Sequence, residues 1–245
     1  MPQIPSLRPF LKNKFLPFVL FFCMFGIVFI GLYIADNTFR ITHIIIEPNN
    51  KRNTDLRGIQ NIKGNYIFVV KESDIIDEIK IRNAYVKTVE VTKQYPDTLT
   101  LHISYYVPLA VLKVPDGYFL LGDEAVILEK NRTEFAHKLP HITYYQNIPF
   151  AHYQAGQQLD FKDIQDSLFY LQKLSVLKQT INSIDITGFH MLGLYTSEEV
   201  YLFSAEKERD QQVYQLEAVM REFMISGRKI KSLDVRFDKP VVVLE

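Results

Sequence analysis

Apolar residues run without a charge from position 16 to position 35, LPFVLFFCMFGIVFIGLYIA. About 20 helical residues at about 1.5 Å each span about 30 Å, the thickness of a bilayer's hydrocarbon core. The pattern predicts a membrane-spanning helix. Pro17 falls in its first turn, where a missing N–H costs little. Tyr33 falls near the far end, at the level where aromatic belts form. Arg8, Lys12 and Lys14 precede the run with no acid among them, and Asp36 follows it. The positive-inside rule then puts the N-terminus in the cytoplasm and the remainder outside. A cleaved signal peptide is the competing reading. Its apolar region is usually shorter and ends in an A-x-A-like site, whereas Tyr33 occupies the first position of the site here. A buried core helix fits less well, because the segment is apolar all round.

Beyond the anchor the periodicity changes. Residues 41–47 (ITHIIIE) are β-branched and predict a strand, which Pro48, Asn49, Asn50 and Lys51 break. Residues 54–60 are compatible with a short helix. Gly64-Asn65 marks a turn before the apolar residues 67–70. Residues 72–81 predict a helix with Ser73 or Asp74 as N-cap and Ile75, Ile76 and Ile79 on one face. Residues 86–93 predict a strand, and Tyr95-Pro96 lies in the turn that follows it. In 98–106 (TLTLHISYY), Leu99, Leu101 and Ile103 share one face while Thr100, His102 and Ser104 share the other. That period of two marks a half-buried antiparallel strand. The order is strand, helix, helix, strand, strand, and Pro108 closes it.

A second region opens near Leu109. Residues 118–121 and 126–128 flank Gly122-Asp123-Glu124-Ala125 as a hairpin. A loop containing Pro140 and Pro149 follows. Asp160 is placed to cap a helix whose apolar positions are Phe161, Ile164, Leu168 and Leu171. Strands are expected at 181–186, 192–196 and 200–203. Ser204 is placed to cap a second helix with Val213, Leu216, Met220 and Phe223 on its buried face, and Gly227 to end it. The last strand is expected at 232–238, with Leu233, Val235 and Phe237 facing one way and Asp234, Arg236 and Asp238 the other. Pro240 and the run Val241-Val242-Val243-Leu244 end the sequence.

Composition narrows the function. Of 245 residues, 28 are Lys or Arg and 28 are Asp or Glu, so the basic excess typical of nucleic-acid binders is missing. The single cysteine, Cys23, lies in the apolar run, which removes an internal disulfide, a thiol nucleophile and a cysteine zinc site from the remainder. His137 and His141 are four apart, but Pro140 between them argues against one helix face. No HExxH, GxSxG or phosphate-binding glycine loop occurs. Glu198-Glu199 reads as a turn between strands. The pattern points to a protein without catalytic, cofactor-binding or metal-ligating residues.

A terminal strand at a sheet edge leaves one row of backbone groups free to pair with another chain. Residues 232–243 are the candidate, with Phe237 as an aromatic anchor and Arg236 as a partner for an acidic side chain. The plain alternative makes Val235 and Phe237 core and Arg236 a surface charge.

Three stretches carry a resemblance. They are 85–110 (YVKTVEVTKQYPDTLTLHISYYVPLA), 117–128 (GYFLLGDEAVIL) and 230–243 (IKSLDVRFDKPVVV). In this order, behind an anchor with its N-terminus inside, they resemble the FtsQ/DivIB family of bacterial cell division proteins over nearly the whole chain. Departures are Asn83-Ala84 where the family often has Pro, Tyr105-Tyr106 where it often has Glu-Arg, and Ala125 at the hairpin glycine.

The resemblance implies an α+β protein with a cytoplasmic tail (1–15), one N-terminal transmembrane helix (16–35), a POTRA domain (39–108, β-α-α-β-β) and a mixed β-rich C-terminal domain (109–245). It further implies a bitopic divisome scaffold in the cytoplasmic (inner) membrane, at the division septum, with its bulk extracytoplasmic. Such a protein binds FtsB- and FtsL-like coiled-coil partners, bears on a septal peptidoglycan synthase, and carries no cofactor. The partner-binding positions implied are Arg236, Phe237 and Lys239, with Val241, Val242 and Val243. The alternative is a POTRA-containing secretion or outer-membrane assembly factor, although the chain is too short after such a domain for most transmembrane barrels. An anchored hydrolase is the third reading.

Overall fold

The computed structural model describes residues 16–47, 56–136 and 138–244. It is a mixed α+β structure with a three-stranded and a nine-stranded sheet. Two compact units make up the chain, Met1–Ile76 with Glu90–His102, and Asp77–Val89 with Ile103–Glu245. The dividing line passes through one helix and along two strands, named below. The basic residues Arg8, Lys12 and Lys14, and His137, lie outside the described residues.

The first unit begins with α1 (Leu16–Thr38). Five consecutive residues, Phe18, Val19, Leu20, Phe21 and Phe22, are all more than half exposed. At 100° per residue these five cover every direction around the axis, so the helix has no face turned to a core. Among the described residues no helix is long and apolar enough to cross a membrane.

After α1 the chain enters β1 (His43–Glu47), α2 (Ile59–Ile62) and α3 (Glu72–Arg82), then β2 (Val86–Gln94) and β3 (Thr98–Tyr105). The expected order therefore appears. Of the short-helix segment 54–60, Thr54 and Asp55 lie outside the described residues, and the helix begins at Ile59. Strand order is β1-β3-β2, with β1 parallel to β3 from His43↔Thr98 to Glu47↔His102. Leu99, Leu101 and Ile103 are buried as their alternation predicts. Thr100 is buried as well, because β3 is the central strand. Helix α3 buries Ile75 and Ile79, one turn apart. It carries Glu72 and Asp74 in its first turn and Lys80 and Arg82 in its last, each placed favourably in the helix dipole. Ser73 and Asp74 lie inside α3 rather than capping it.

The second unit holds β4 (Ala110–Val114), β5 (Gly117–Leu121), β6 (Ile127–Asn131) and β7 (His141–Tyr144), then α4 (Lys162–Val176). Next come β8 (Ser183–Gly188), β9 (Met191–Tyr195), β10 (Val200–Phe203), α5 (Arg209–Ser226), β11 (Ile230–Asp234) and β12 (Val241–Leu244). Sheet order is β12-β11-β10-β9-β8-β7-β4-β5-β6. The hairpin β5–β6 stands where the sequence puts it, with Glu124 and Ala125 both at φ 58 in the connecting 3₁₀ turn. The expectation of loop from Leu128 to Asp160 is corrected at 141–144. There β7 runs parallel to both β4 and β8 and joins the two halves of the sheet.

One core unites this sheet with its helices. From α4 it takes Ile164, Leu168, Leu171 and Leu174; from α5, Val213, Leu216 and Met220; from the strands, Phe119, Ile142, Ile184, Leu194, Tyr201, Phe203 and Leu233. Tyr170 stacks on Phe203 at 4.0 Å. Its hydroxyl accepts from Gln212 Nε2 at 2.8 Å, and Gln212 also bonds the Ser204 carbonyl at 2.8 Å and its N–H at 2.9 Å. Burial holds the Tyr170 phenol protonated by pushing its pKa well up.

Two expected caps are corrected. Phe161, not Asp160, precedes α4, and Glu208, not Ser204, precedes α5, neither with a side-chain capping bond. Ser204 instead organises the turn before α5, donating to Phe189 O at 3.2 Å and accepting from Glu206 N at 3.2 Å. Gly227 ends α5 at φ 65, as expected.

Candidate functional site

The expected strand over 232–238 stops at Asp234, and this changes the geometry of the proposed partner site. The alternation of Leu233, Val235 and Phe237 does not continue. Leu233 and Val235 are buried, whereas Phe237 is 54% exposed. Residues 235–240 turn the chain back, and 241–244 form a further strand, β12, antiparallel to β11. Its register runs Asp234↔Val241, Leu233↔Val242 and Ser232↔Val243. Strand β12 is therefore one edge of the nine-stranded sheet, with β6 the other, and β11 is an interior strand between β12 and β10.

Alternation now works on β12. Val242 packs against the core, while Val241, Val243 and Leu244 are exposed. The outer edge of β12 offers backbone donors and acceptors with no neighbouring strand among the described residues. Within Val241–Leu244 no charged side chain guards that edge. Such an edge is a template for a further strand.

The turn leading into β12 is held from three sides. Arg236 donates to Asp234 through Nε at 2.9 Å and Nη2 at 2.6 Å, and its backbone N–H reaches the same carboxylate at 3.0 Å. That bond holds the guanidinium pKa above its ordinary value, so the pair is permanently charged on the arginine side. Gln215 on α5 donates to the carbonyls of Phe237 at 3.3 Å and Asp238 at 2.8 Å. Lys207 bonds Asp238 at 2.8 Å and draws its carboxyl below the usual aspartate range. The Phe237 ring, 5.5 Å from the Arg236 guanidinium carbon, is thereby presented outward on a braced turn. Lys239 is exposed beside it.

The structure thus brings Phe237, Lys239, Val241 and Val243 to one exposed margin, and sets Arg236 and Val242 inside it. Arg236 is forked onto Asp234 and braces the turn. Sequence reasoning missed Gln215 and Lys207, which are distant in the chain. The Asp234–Arg236 bond had a signal in their spacing of two, which put both on one face.

His43, His102, His141 and His190 each face a single carboxylate, Asp97, Glu47, Glu134 and Glu206 respectively. Among the described residues no group of three or more His, Cys, Asp or Glu is arranged to hold a metal ion. Glu199 accepts from the Tyr201 hydroxyl, and Thr196 Oγ1 accepts from the N–H groups of Glu198 and Glu199, which makes 196–199 a bonded turn. The buried carboxylate of Asp166 is met by Lys162 at 2.7 Å and by Arg209.

No protein-family model matches the chain. Curated relatives do. The cell division protein FtsQ of Rickettsia felis is 24% identical over 232 residues, 89% of this chain and 81% of that protein. The cell division protein FtsQ of Rickettsia conorii is 24% identical over 81% of this chain and 69% of its own length. The cell division protein DivIB of Clostridium botulinum is 29% identical over 59% of this chain and 56% of its own length. These relatives support a role in cell division. Curated homologues at 24–29% identity over most of the chain support its assignment to the FtsQ/DivIB family of cell division proteins.

Proposed function

We propose that the protein is a non-enzymatic divisome scaffold that captures a partner strand on the edge of β12. One observation carries this reading: the terminal strand is an unguarded sheet edge with Val241, Val243 and Leu244 exposed. A chain laid along it gains main-chain hydrogen bonds worth about 0.5–1.5 kcal/mol each. Phe237 supplies an aromatic anchor beside the new strand, and Lys239 a charge. The partners are FtsB- and FtsL-like coiled-coil division proteins, and through them the complex bears on septal peptidoglycan synthesis.

The anchor belongs to this proposal. Residues 16–35 cross the cytoplasmic membrane once, with the N-terminus inside and the bulk of the chain outside, at the septum. All-round exposure of the α1 apolar side chains supports it, because a helix with no polar face is satisfied by lipid and not by water. The order β1-α2-α3-β2-β3 supports a POTRA domain at 39–108.

The test is co-purification of the full-length chain with candidate FtsB- and FtsL-like proteins. The wild-type chain retains them. Phe237→Ala and Val243→Lys weaken retention by about tenfold or more, the scale of an interface anchor. A wild-type chain that retains neither partner sinks the proposal.

A further inference from the structure

Three aromatic side chains of the first unit, half-buried Phe39 and exposed Phe68 and Tyr95, form a continuous row. The Phe39 ring lies 4.9 Å from Phe68, and Phe68 stacks on Tyr95 at 5.1 Å with the ring planes 22° apart. Phe68 and Tyr95 are each 59% exposed, and neighbouring Val69 is 74% exposed. Apolar residues scattered singly on a surface are ordinary, but a contiguous row is not.

The position of this row identifies what covers it. Phe39 is the first residue after α1, and its carbonyl accepts from Ile67 N–H at 3.0 Å. Arg40 bridges to Tyr66, and Ile41 exchanges bonds of 2.9 Å with Asn65 and Gly64. The Arg40 side chain ties three pieces together, bonding Asp36 in the last turn of α1 at 2.9 Å, the Tyr66 hydroxyl at 2.9 Å and the Gly64 carbonyl at 3.1 Å. Its guanidinium also sits 4.4 Å over the Tyr66 ring. The aromatic row is therefore rigidly set at the exit of α1.

Phe39 lies four residues beyond the end of the apolar run, about 6 Å at about 1.5 Å per residue. The headgroup layer on each side of a bilayer is about 5–7 Å thick. Phe39 then falls within that layer, and the Phe68 ring lies against it with the planes tilted by 51°. Aromatic side chains are favoured at this depth.

We infer that Phe39, Phe68, Val69 and Tyr95 dock on the lipid headgroup layer where α1 leaves the membrane. The first unit is thereby held against the bilayer instead of swinging freely on its tether. This inference rests on the membrane-anchor reading of residues 16–35.

The chain contains no tryptophan, so one introduced indole is an unambiguous reporter. Full-length Phe22→Trp, Phe68→Trp and Tyr95→Trp proteins are reconstituted in phosphatidylcholine–phosphatidylglycerol vesicles with and without brominated acyl chains. Bromine quenches only an indole in contact with the bilayer. Phe68→Trp and Tyr95→Trp are each expected to lose about half of their emission, as befits rings buried about 5–10 Å into the headgroup and acyl boundary. Quenching of Phe22→Trp with no quenching at either 68 or 95 overturns the docking inference and leaves the anchor standing. That result assigns the row to a protein surface. Absence of quenching at 22 overturns the anchor and the inference with it.

Discussion

The guanidinium of Arg236 is forked onto the carboxylate of Asp234, two residues upstream, at 2.6 and 2.9 Å. This bond closes the turn between β11 and β12 and so sets where the edge strand begins. Both side chains are partly shielded, with 24% and 14% of their surfaces exposed. Asp234→Ala is expected to cost about 1–2 kcal/mol in urea unfolding, as hydrogen bonds to charged groups do. Arg236→Lys keeps the charge but loses the planar fork, and is expected to cost most of the same amount. Phe237→Ala, which removes an exposed ring, leaves stability within about 0.5 kcal/mol.

Asp163, near the start of α4, is fully buried. One oxygen, Oδ1, accepts from Ile164 N–H at 3.0 Å and from the Tyr144 hydroxyl at 3.1 Å, while Oδ2 has no partner among the described residues. Burial raises its pKa above that of the unfolded chain, and also pushes the Tyr144 phenol up. The folded state thus holds the Asp163 proton more tightly than the unfolded state. Its contribution is full below the unfolded aspartate pKa, about 3.9, and is lost as pH rises through the folded value. Asp163→Asn is neutral at every pH. Melting curves are expected to show it raising Tm more at pH 8 than at pH 5. An equal effect at both would mean that Asp163 is already ionised in the folded state at pH 5, as it is in the unfolded chain.

Helix α4 ends in a Schellman motif built on lysine. Lys178 N–H donates to Ser175 O at 3.0 Å and Gln179 N–H to Leu174 O at 2.9 Å, with Lys178 exposed at φ 63. A side chain in this left-handed region is strained, and the position favours glycine. Lys178→Gly is expected to stabilise the chain by about 0.5–1 kcal/mol in chemical denaturation.

Gly117 opens strand β5 against a close neighbour. A Cβ there would lie 2.5 Å from the Asn131 carbonyl oxygen and 2.8 Å from the Phe150 ring. The carbonyl belongs to the paired strand β6 and does not move independently. Gly117→Ala is expected to destabilise by about 1–3 kcal/mol, read as a lower urea midpoint. Gly188→Ala, where no atom lies within 4 Å of the added carbon, provides the comparison with backbone strain and no collision.

Local pattern determined much of this protein. The alternation of Leu99, Leu101 and Ile103 sufficed for β3, the spacing of Ile75 and Ile79 for the buried face of α3, and Gly227 for the end of α5. Each of these signals lies within a few residues, where side-chain period and backbone freedom act directly. The apolar run of α1 was equally legible, because twenty uncharged residues need no partner to declare themselves. Tertiary structure decided the rest. Strand β7 carries one buried isoleucine in four residues, and its parallel partners come from distant parts of the chain, so no local period announces it. The same holds for the edge. Sequence placed a strand through Phe237, but Gln215 and Lys207, brought in by the packing of α5 and the turn before it, hold 235–240 as a turn. The completed sheet order shows that β12, paired with β11 on one side, lies at an end of the nine-stranded sheet.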